Sequence, residues 1–149
     1  MNDLNKVLLK EIDLIQACIN RMAQNSFMIK GWTISLIAVV LALFPESFDL
    51  SGLCLVGIVV TLCFWYLDAF FLRTEKLYRW KYDWVLANRL QCADYCYDLN
   101  PNNDQMWLPS KDGGVRKIPS IVGIMLTKTL VPIYLPLLIL SIVFLFTQI

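Results

Sequence analysis

Residues 72–85, LRTEKLYRWKYDWV, decide between two folds for the middle of this chain. From Tyr78 to Trp84 aromatic residues alternate with charged ones, which is the period of a half-buried β-strand. The same stretch directly follows LVGIVVTLCFWYLDAFFL, an apolar run typical of a membrane helix. The chain therefore either changes to a strand after Leu72 or continues beyond the membrane as one helix.

The distribution of turn residues and charges favours one continuous helix. No Gly or Pro occurs between positions 57 and 101, so the usual residues of a helix-to-strand turn are missing. On a helix, Glu75, Arg79 and Asp83 form successive opposite-charge pairs at i, i+4 spacing. We predict one helix from about residue 50 to about residue 98, with the strand as the alternative.

Three long apolar stretches predict the fold class. The chain has 149 residues and is 58% hydrophobic, which is too apolar for an ordinary soluble domain of this size. Residues 26–44, 50–72 and 129–149 each have the length that a helix needs to cross about 30 Å of hydrocarbon. We therefore expect an all-α membrane protein with three transmembrane helices and a helical cytoplasmic extension.

Four segments follow from this assignment. They are a cytoplasmic amphipathic helix at 1–25, a transmembrane hairpin at 26–72, a cytoplasmic helix and loop at 73–128, and a third transmembrane helix at 129–149. None of the thirteen Lys and Arg residues lies in the hairpin loop PESFDLSG or in the C-terminal tail. The positive-inside rule then predicts a cytoplasmic N-terminus, an outside hairpin loop, a cytoplasmic middle segment and an outside C-terminus. Two prolines, Pro132 and Pro136, leave a kinked or re-entrant start of the third span open.

The N-terminal segment carries a heptad-like apolar seam. Its members recur at spacings of four and three residues: Leu8, Ile12, Ile15, Ile19 and Met22. The seam can pack on the helix after residue 72 of the same subunit, or against copies of itself. Three spans are too few to enclose a channel in one copy, so a pore would require a homo-oligomer, a tetramer or a larger ring.

One acidic residue creates a conflict within the membrane. Asp68 is the only acid of the second span, and an unpaired carboxylate there is costly. Lys30 lies at the cytoplasmic end of the antiparallel first span, so the two side chains should be at similar depth. We predict that they form a pair. Its role is either a clasp that fixes the register of the hairpin or a gate, and an ion or proton pathway is a further alternative.

A second group of candidate site residues follows the second span. It combines cationic and aromatic side chains: Arg73, Lys76, Arg79, Trp80, Trp84 and Arg89. The plain interpretation is packing against other helices. The functional interpretation is a surface for a soluble cytoplasmic partner protein, or for a nucleotide stacked on the aromatic rings with its phosphates on the arginines.

The composition argues against catalysis. The chain has no His, which removes the commonest general base and most zinc sites. We therefore expect no enzyme activity and no catalytic, cofactor-binding or metal-binding residues. Cys92 and Cys96 lie four residues apart on the predicted helix. They are interpreted as structural, with a redox-sensitive pair as the alternative.

Three segments resemble a group of small bacterial inner-membrane proteins, most of them uncharacterised. The segments are NSFMIKGW (25–32), LDAFFLRTEKLYRWKYD (67–83) and TKTLVPIY (127–134). Some members of this group are thought to act in phage defence and abortive infection. The resemblance implies a role in antiphage defence. The three predicted spans, the cytoplasmic helical extension and the absence of catalytic side chains then favour an oligomeric inner-membrane effector or sensor, acting by gated pore formation or membrane perturbation. The alternative is a membrane anchor or adaptor that recruits a soluble partner protein to the cytoplasmic face.

Overall fold

The computed structural model describes residues 3–42, 50–110, 113–114 and 116–147. Its elements are helix α1 (Asp3–Ala42), helix α2 (Leu50–Asn88), a 3-10 turn (Asp104–Met106), helix α3 (Ile121–Met125) and helix α4 (Val131–Thr147). No β-strand occurs in these ranges, so the predicted helix over residues 72–85 is confirmed and the alternative strand is wrong. The tip of the predicted hairpin loop, residues 45–49, lies outside the described residues.

One described helix is long and apolar enough to cross a membrane. It is α2, whose qualifying stretch is Gly52–Asn88, and a shorter apolar helix covers Val131–Phe146. The apolar part of α1 does not meet this criterion within the residues that the structure describes. The structure thus gives an all-helical chain with one candidate span, and the three-span topology stays a prediction.

The chain divides into two compact units, and both α1 and α2 contribute to each of them. The first unit combines residues 1–24 with 72–119, and we call it the polar unit. The second combines residues 25–71 with 120–149, and we call it the apolar unit.

In the polar unit, the start of α1 packs on the end of α2. Its apolar core includes Ile15, Leu77, Val85 and Met106, each at most 3% exposed. From the predicted heptad seam, Ile15 and Met22 are buried in this unit. For these two residues the structure shows packing within the subunit, because their side chains are already covered by the same chain.

Helix α2 ends at Asn88, so the predicted continuation to about residue 98 is wrong. No Gly or Pro lies near this end of α2, and the side chain of Arg89 ends the helix instead. The Arg89 guanidinium donates to the carbonyls of Cys92, Asp94 and Tyr95, at 2.9, 2.7 and 3.3 Å. These bonds curl the backbone into turns, and helix propensity alone gives no sign of them. Cys92 and Cys96 consequently lie in a turn and not on a helix.

After the turn, the chain folds back along α2 without forming regular structure. Side chains of α2 donate hydrogen bonds to backbone carbonyls of this segment, which in a strand or helix would accept backbone N–H groups instead. The Tyr78 hydroxyl donates to the Leu99 carbonyl at 3.2 Å, and the Lys81 ammonium donates to the Asn100 carbonyl at 2.8 Å. The position of this loop therefore depends on polar groups of α2 that are themselves buried.

The apolar unit contains the second part of α1, the first part of α2, and the helices α3 and α4. Large apolar side chains cover much of its outside: Phe27, Trp32, Val59, Val122, Leu126 and Phe146 are each more than half exposed. An exterior of this kind is unfavourable in water and typical of helices that face lipid.

Candidate functional site

The centre of the apolar unit is a buried carboxylate of α2 that is bound by side chains of two other helices, α1 and α4. Asp68 of α2 is fully buried. The Lys30 ammonium of α1 lies 2.7 Å from its Oδ2 and 2.9 Å from its Oδ1. The Ser26 hydroxyl of α1 donates to Oδ1, and the Tyr134 hydroxyl of α4 donates to Oδ2 at 2.9 Å. We call these four residues the Asp68 cluster.

The geometry of α1 explains why one helix supplies two of the donors. Ser26 and Lys30 are four residues apart, so their side chains lie on the same face of the helix. The Lys30 ammonium also donates to the Ser26 hydroxyl at 2.7 Å and to the Ser26 carbonyl at 3.3 Å. Ser26 thereby accepts from the lysine while it donates to the carboxylate.

The cluster neutralises its own charge without any other group. A buried carboxylate is tolerated in apolar surroundings only when a cation and hydrogen bonds compensate its desolvation. Here one ammonium supplies the charge and two hydroxyls supply further hydrogen bonds. Lys30 reaches the surface, with 21% of its side chain exposed, whereas the Asp68 side chain has no exposed area. The lysine is thus the partly exposed member of the pair.

Two further contacts connect the cluster to helix α3. The rings of Tyr134 and Trp65 are stacked, with centroids 5.8 Å apart and planes inclined by 10°. The Trp65 indole N–H donates to the Met125 carbonyl at 3.0 Å. Met125 is the last residue of α3, where helix carbonyls lack partners within the helix. A continuous series of contacts therefore connects Asp68 to the end of α3.

The predicted pair of Asp68 and Lys30 is confirmed, and its role stays a prediction. The sequence reasoning did not include Ser26 or Tyr134. Two features of the sequence could have indicated them as partners of Asp68. Ser26 lies four residues before Lys30, and Tyr134 lies about one turn inside the predicted third span. Either polar side chain could have been assigned to the same depth as Asp68 on that basis.

The predicted cytoplasmic surface is not one continuous patch. Lys76 and Arg79 are exposed, and the Arg79 guanidinium binds the Glu75 carboxylate at 2.7 Å, as the i, i+4 spacing predicted. Trp80 is half-buried between two cations, with the Lys76 ammonium 5.7 Å and the Arg116 guanidinium 5.2 Å from its ring centroid.

The other members of that predicted surface lie in different surroundings. Arg89 is fully buried, and its guanidinium binds Glu11 and three carbonyls, which leaves no exposed face for a ligand. Trp84 is half-buried with its ring 5.5 Å from the same guanidinium. Arg73 is half-buried, and its Nε has no hydrogen-bond partner within the described part of the chain. Arg73, Arg79 and Arg89 therefore lie in different surroundings and do not form one phosphate-binding group.

The polar unit also contains a buried charged cluster that the sequence did not indicate. Glu11 of α1 pairs with Arg89, and the Glu11 carboxylate also accepts the backbone N–H of Tyr97 at 2.6 Å. Beside it, the buried Lys81 ammonium lies 3.3 Å from the Asp98 carboxylate. These groups fix the loop after α2, because each of them binds at least one residue of that loop.

Two titratable groups of this cluster, Lys81 and Asp98, have shifted pKa values: burial lowers the pKa of the Lys81 ammonium although the Asp98 carboxylate opposes that change. Partial burial opposes the ionisation of Asp98, but hydrogen bonds from Asn103 and the Asn100 backbone N–H, together with the Lys81 ammonium, outweigh that effect. The net result lowers the pKa of Asp98 below its usual value of 3.8. Asp98 is therefore a charged anchor of the loop at neutral pH.

Metal binding has no structural support in the described residues. Across these ranges, no group of three or more His, Cys, Asp or Glu side chains is arranged to hold a metal ion.

No family model, no curated protein and no solved structure matches this chain.

Proposed function

We propose that this chain is an oligomeric inner-membrane effector or sensor in which the Asp68 cluster holds the closed state of a pore or membrane-perturbing assembly. The observation that carries the proposal is the buried carboxylate of α2, bound by side chains of α1 and α4 in a unit with an apolar exterior. Intramembrane ionisable groups are expensive and are usually kept for function. The antiphage setting comes from the sequence resemblance alone.

The proposal includes the three-span topology. In it, residues 26–44, 50–72 and 129–149 cross the inner membrane with the N-terminus in the cytoplasm and the C-terminus in the periplasm. The exposed apolar side chains of the apolar unit support lipid contact, and among the described residues only α2 is both long and apolar enough for a span. Several copies must assemble, because three helices leave no room for a conducting path inside one chain.

The chemistry of the cluster suggests how the closed state is held. Ser26, Lys30 and Tyr134 use their donors on one carboxylate, so separating the helices would leave an uncompensated charge in apolar surroundings. Opening then requires that water or another group binds Asp68. Either would reach the carboxylate beside Lys30, because the Lys30 side chain is partly exposed. Lys30 lies on α1 and Asp68 on α2. A trigger that binds either helix therefore acts on a helix of this ion pair.

The first test measures membrane potential in cells that express the chain, with and without phage challenge. Asp68→Asn and Lys30→Met remove the ion pair, and we expect depolarisation to occur earlier or without the challenge. Asp83→Asn and Lys76→Met are matched controls at exposed positions, and they should behave as the wild type. Unchanged depolarisation in both cluster variants would overturn the gating role. A steady potential in every case would overturn pore formation.

The alternative function is a membrane anchor that recruits a soluble protein to the cytoplasmic face. The specific observation behind it is the cation–aromatic group at Trp80. Lys76 and Arg116 flank this ring, and the Trp107 ring packs against it in a T-shaped arrangement with centroids 5.4 Å apart. Trp and Arg are enriched among the few residues that carry most of the binding energy at protein interfaces.

Co-purification distinguishes the anchor from the effector. If the anchor assignment holds, Lys76→Glu should reduce the recovery of a specific partner at least tenfold without changing the membrane potential. Lys10→Glu, at an exposed site on α1, is the matched charge reversal. Equal recovery with both variants would argue against Trp80 and its neighbours as the docking surface.

A further inference from the structure

The turn after α2 brings two cysteines to one peptide group. Cys92 accepts the backbone N–H of Asp94 on its sulfur at 3.4 Å, and the Cys96 thiol donates to the Ala93 carbonyl at 2.9 Å. That N–H and that carbonyl belong to the same peptide unit. Standard backbone dimensions then place the two sulfurs within about 9 Å of each other.

The backbone of this turn is strongly curved and partly strained. The carbonyls of Cys92, Asp94 and Tyr95 converge on the guanidinium of Arg89. Tyr95 and Tyr97, which flank Cys96, have φ angles of 57° and 59°. The left-handed conformation is unfavourable for a non-glycine residue, so the turn depends on the bonds made by Arg89.

The two thiols differ in exposure and in their neighbours. Cys96 is exposed, whereas Cys92 is half-buried. The Cys92 thiol donates to the Asp94 carboxylate at 3.2 Å, so an acceptor for its proton is already in contact with it. A solvent-accessible thiol with a second thiol in the same short turn is the arrangement of an attacking and a resolving cysteine.

We propose that Cys92 and Cys96 are a reversible oxidation site for hydroperoxides. The Cys96 sulfur attacks a peroxide oxygen, the O–O bond breaks, and the thiol proton leaves in the water that is formed. The resulting Cys96 sulfenic acid is attacked by the Cys92 sulfur. The S–O bond breaks, and Asp94 accepts the Cys92 proton and passes it to the leaving hydroxide. Two thiols and one hydrogen peroxide give one disulfide and two waters.

The disulfide changes the turn that Arg89 holds. Bonding requires the sulfurs to move to about 2.05 Å and therefore to leave their contacts with Ala93 and Asp94. The carbonyls of the same segment then shift relative to the guanidinium, which loosens its hold on the loop. A strained disulfide in a short loop is also readily reduced, so the modification is reversible.

The test counts thiols in the full chain, purified in detergent micelles and treated with hydrogen peroxide. Alkylation and intact-mass measurement should show the five cysteines reduced to three free thiols, with all five recovered after dithiothreitol. Peptide mapping should place the new bond between positions 92 and 96. Five remaining thiols, or a disulfide that joins two chains, would overturn the proposal.

Single variants separate this pair from the other cysteines. Cys96→Ser should lose no thiol to a disulfide, and Cys92→Ser should accumulate oxygen on Cys96, because the resolving thiol is missing. Cys18→Ser leaves both members in place and should still lose two thiols. Disulfide formation in Cys96→Ser, or its loss in Cys18→Ser, would assign the chemistry to a different pair.

Discussion

The polar unit and the apolar unit both bury an ion pair, but they use it for different purposes. In the polar unit, the Arg89–Glu11 pair binds three carbonyls and one backbone N–H of the loop after α2. In the apolar unit, the Lys30–Asp68 pair recruits hydroxyl groups from Ser26 and Tyr134. The first pair fixes irregular backbone, and the second connects side chains of three helices.

This difference determines how each region can change. A loop held by backbone bonds can rearrange when one guanidinium is displaced, because its carbonyls find water instead. Helices joined through side chains in an apolar environment have no water to replace a lost partner. We therefore expect the polar unit to respond locally to perturbation, and the apolar unit to resist change until the whole Asp68 cluster is separated.

The largest effect is expected from removing the buried arginine of the polar unit. Arg89→Met leaves the buried Glu11 carboxylate without its cation, which should destabilise this region by about 3–5 kcal/mol. Hydrogen exchange of the amides at 92–98 should increase by several orders of magnitude.

An exposed arginine provides the control for that prediction. Arg79 also pairs with a glutamate, but 62% of its side chain is exposed. Arg79→Met should cost at most about 0.5 kcal/mol. Equal effects from the two substitutions would show that burial does not distinguish the two arginines.

A smaller effect is expected from neutralising the carboxylate of the apolar unit. Asp68→Asn keeps one oxygen acceptor but removes the charge opposite Lys30, so we expect a loss of about 2–3 kcal/mol in the free energy of unfolding. Denaturation with sodium dodecyl sulfate in mixed micelles, followed by tryptophan fluorescence, measures it.

A double variant sharpens the interpretation of the apolar unit. Asp68→Leu with Lys30→Met replaces the ion pair by apolar side chains, which often restores or increases stability. The double variant should be more stable than Asp68→Leu alone. If it is not, the two residues do not act as a pair.

A pH-dependent effect of smaller size is expected in the polar unit. The pKa of Asp98 is lowered on folding, so its contribution is complete above the unfolded value of 3.8 and is lost as the pH falls through the lower folded value. Hydrogen exchange at residues 98–103, corrected for intrinsic pH dependence, should show weaker protection in acid. Asp98→Asn should remove that acid-dependent step, whereas Asp104→Asn, at an exposed site, should retain it.

The smallest effect is expected at the link between the Asp68 cluster and α3. Trp65→Phe keeps a ring to stack on Tyr134 but removes the N–H that binds the Met125 carbonyl, at a cost of about 1 kcal/mol. Faster hydrogen exchange should appear at residues 121–127. Trp32→Phe, at a position 65% exposed, should leave this exchange unchanged.

Local patterns were sufficient for the helices and for one ion pair. The absence of Gly and Pro and the Glu75–Arg79 spacing correctly favoured a helix over a strand after residue 72. The depth argument correctly paired Asp68 with Lys30, because two antiparallel helices of known length bring residues near the same boundary together. Each of these inferences needs only helix geometry and the cost of an unpaired charge.

The end of α2 and the second ion pair could not be inferred in the same way. Helix α2 ends at Asn88 because Arg89 turns inward to bind carbonyls, and its partner Glu11 lies 78 residues away in sequence. Nothing near Arg89 distinguishes it from Arg79, which remains on the surface. For that reason the predicted ligand surface combined arginines that the fold places in different surroundings.

By itself the sequence determined that this chain is helical, that it contains a membrane-length apolar helix, and that its carboxylate at position 68 needs a cation. Tertiary structure alone decided which hydroxyls join that carboxylate, which arginine is buried and where the long helix ends. The physical reason is the range of the interactions. Helix propensity and apolar length depend on neighbours within a few residues, whereas a buried charge is stabilised by whichever distant segments the fold brings to it.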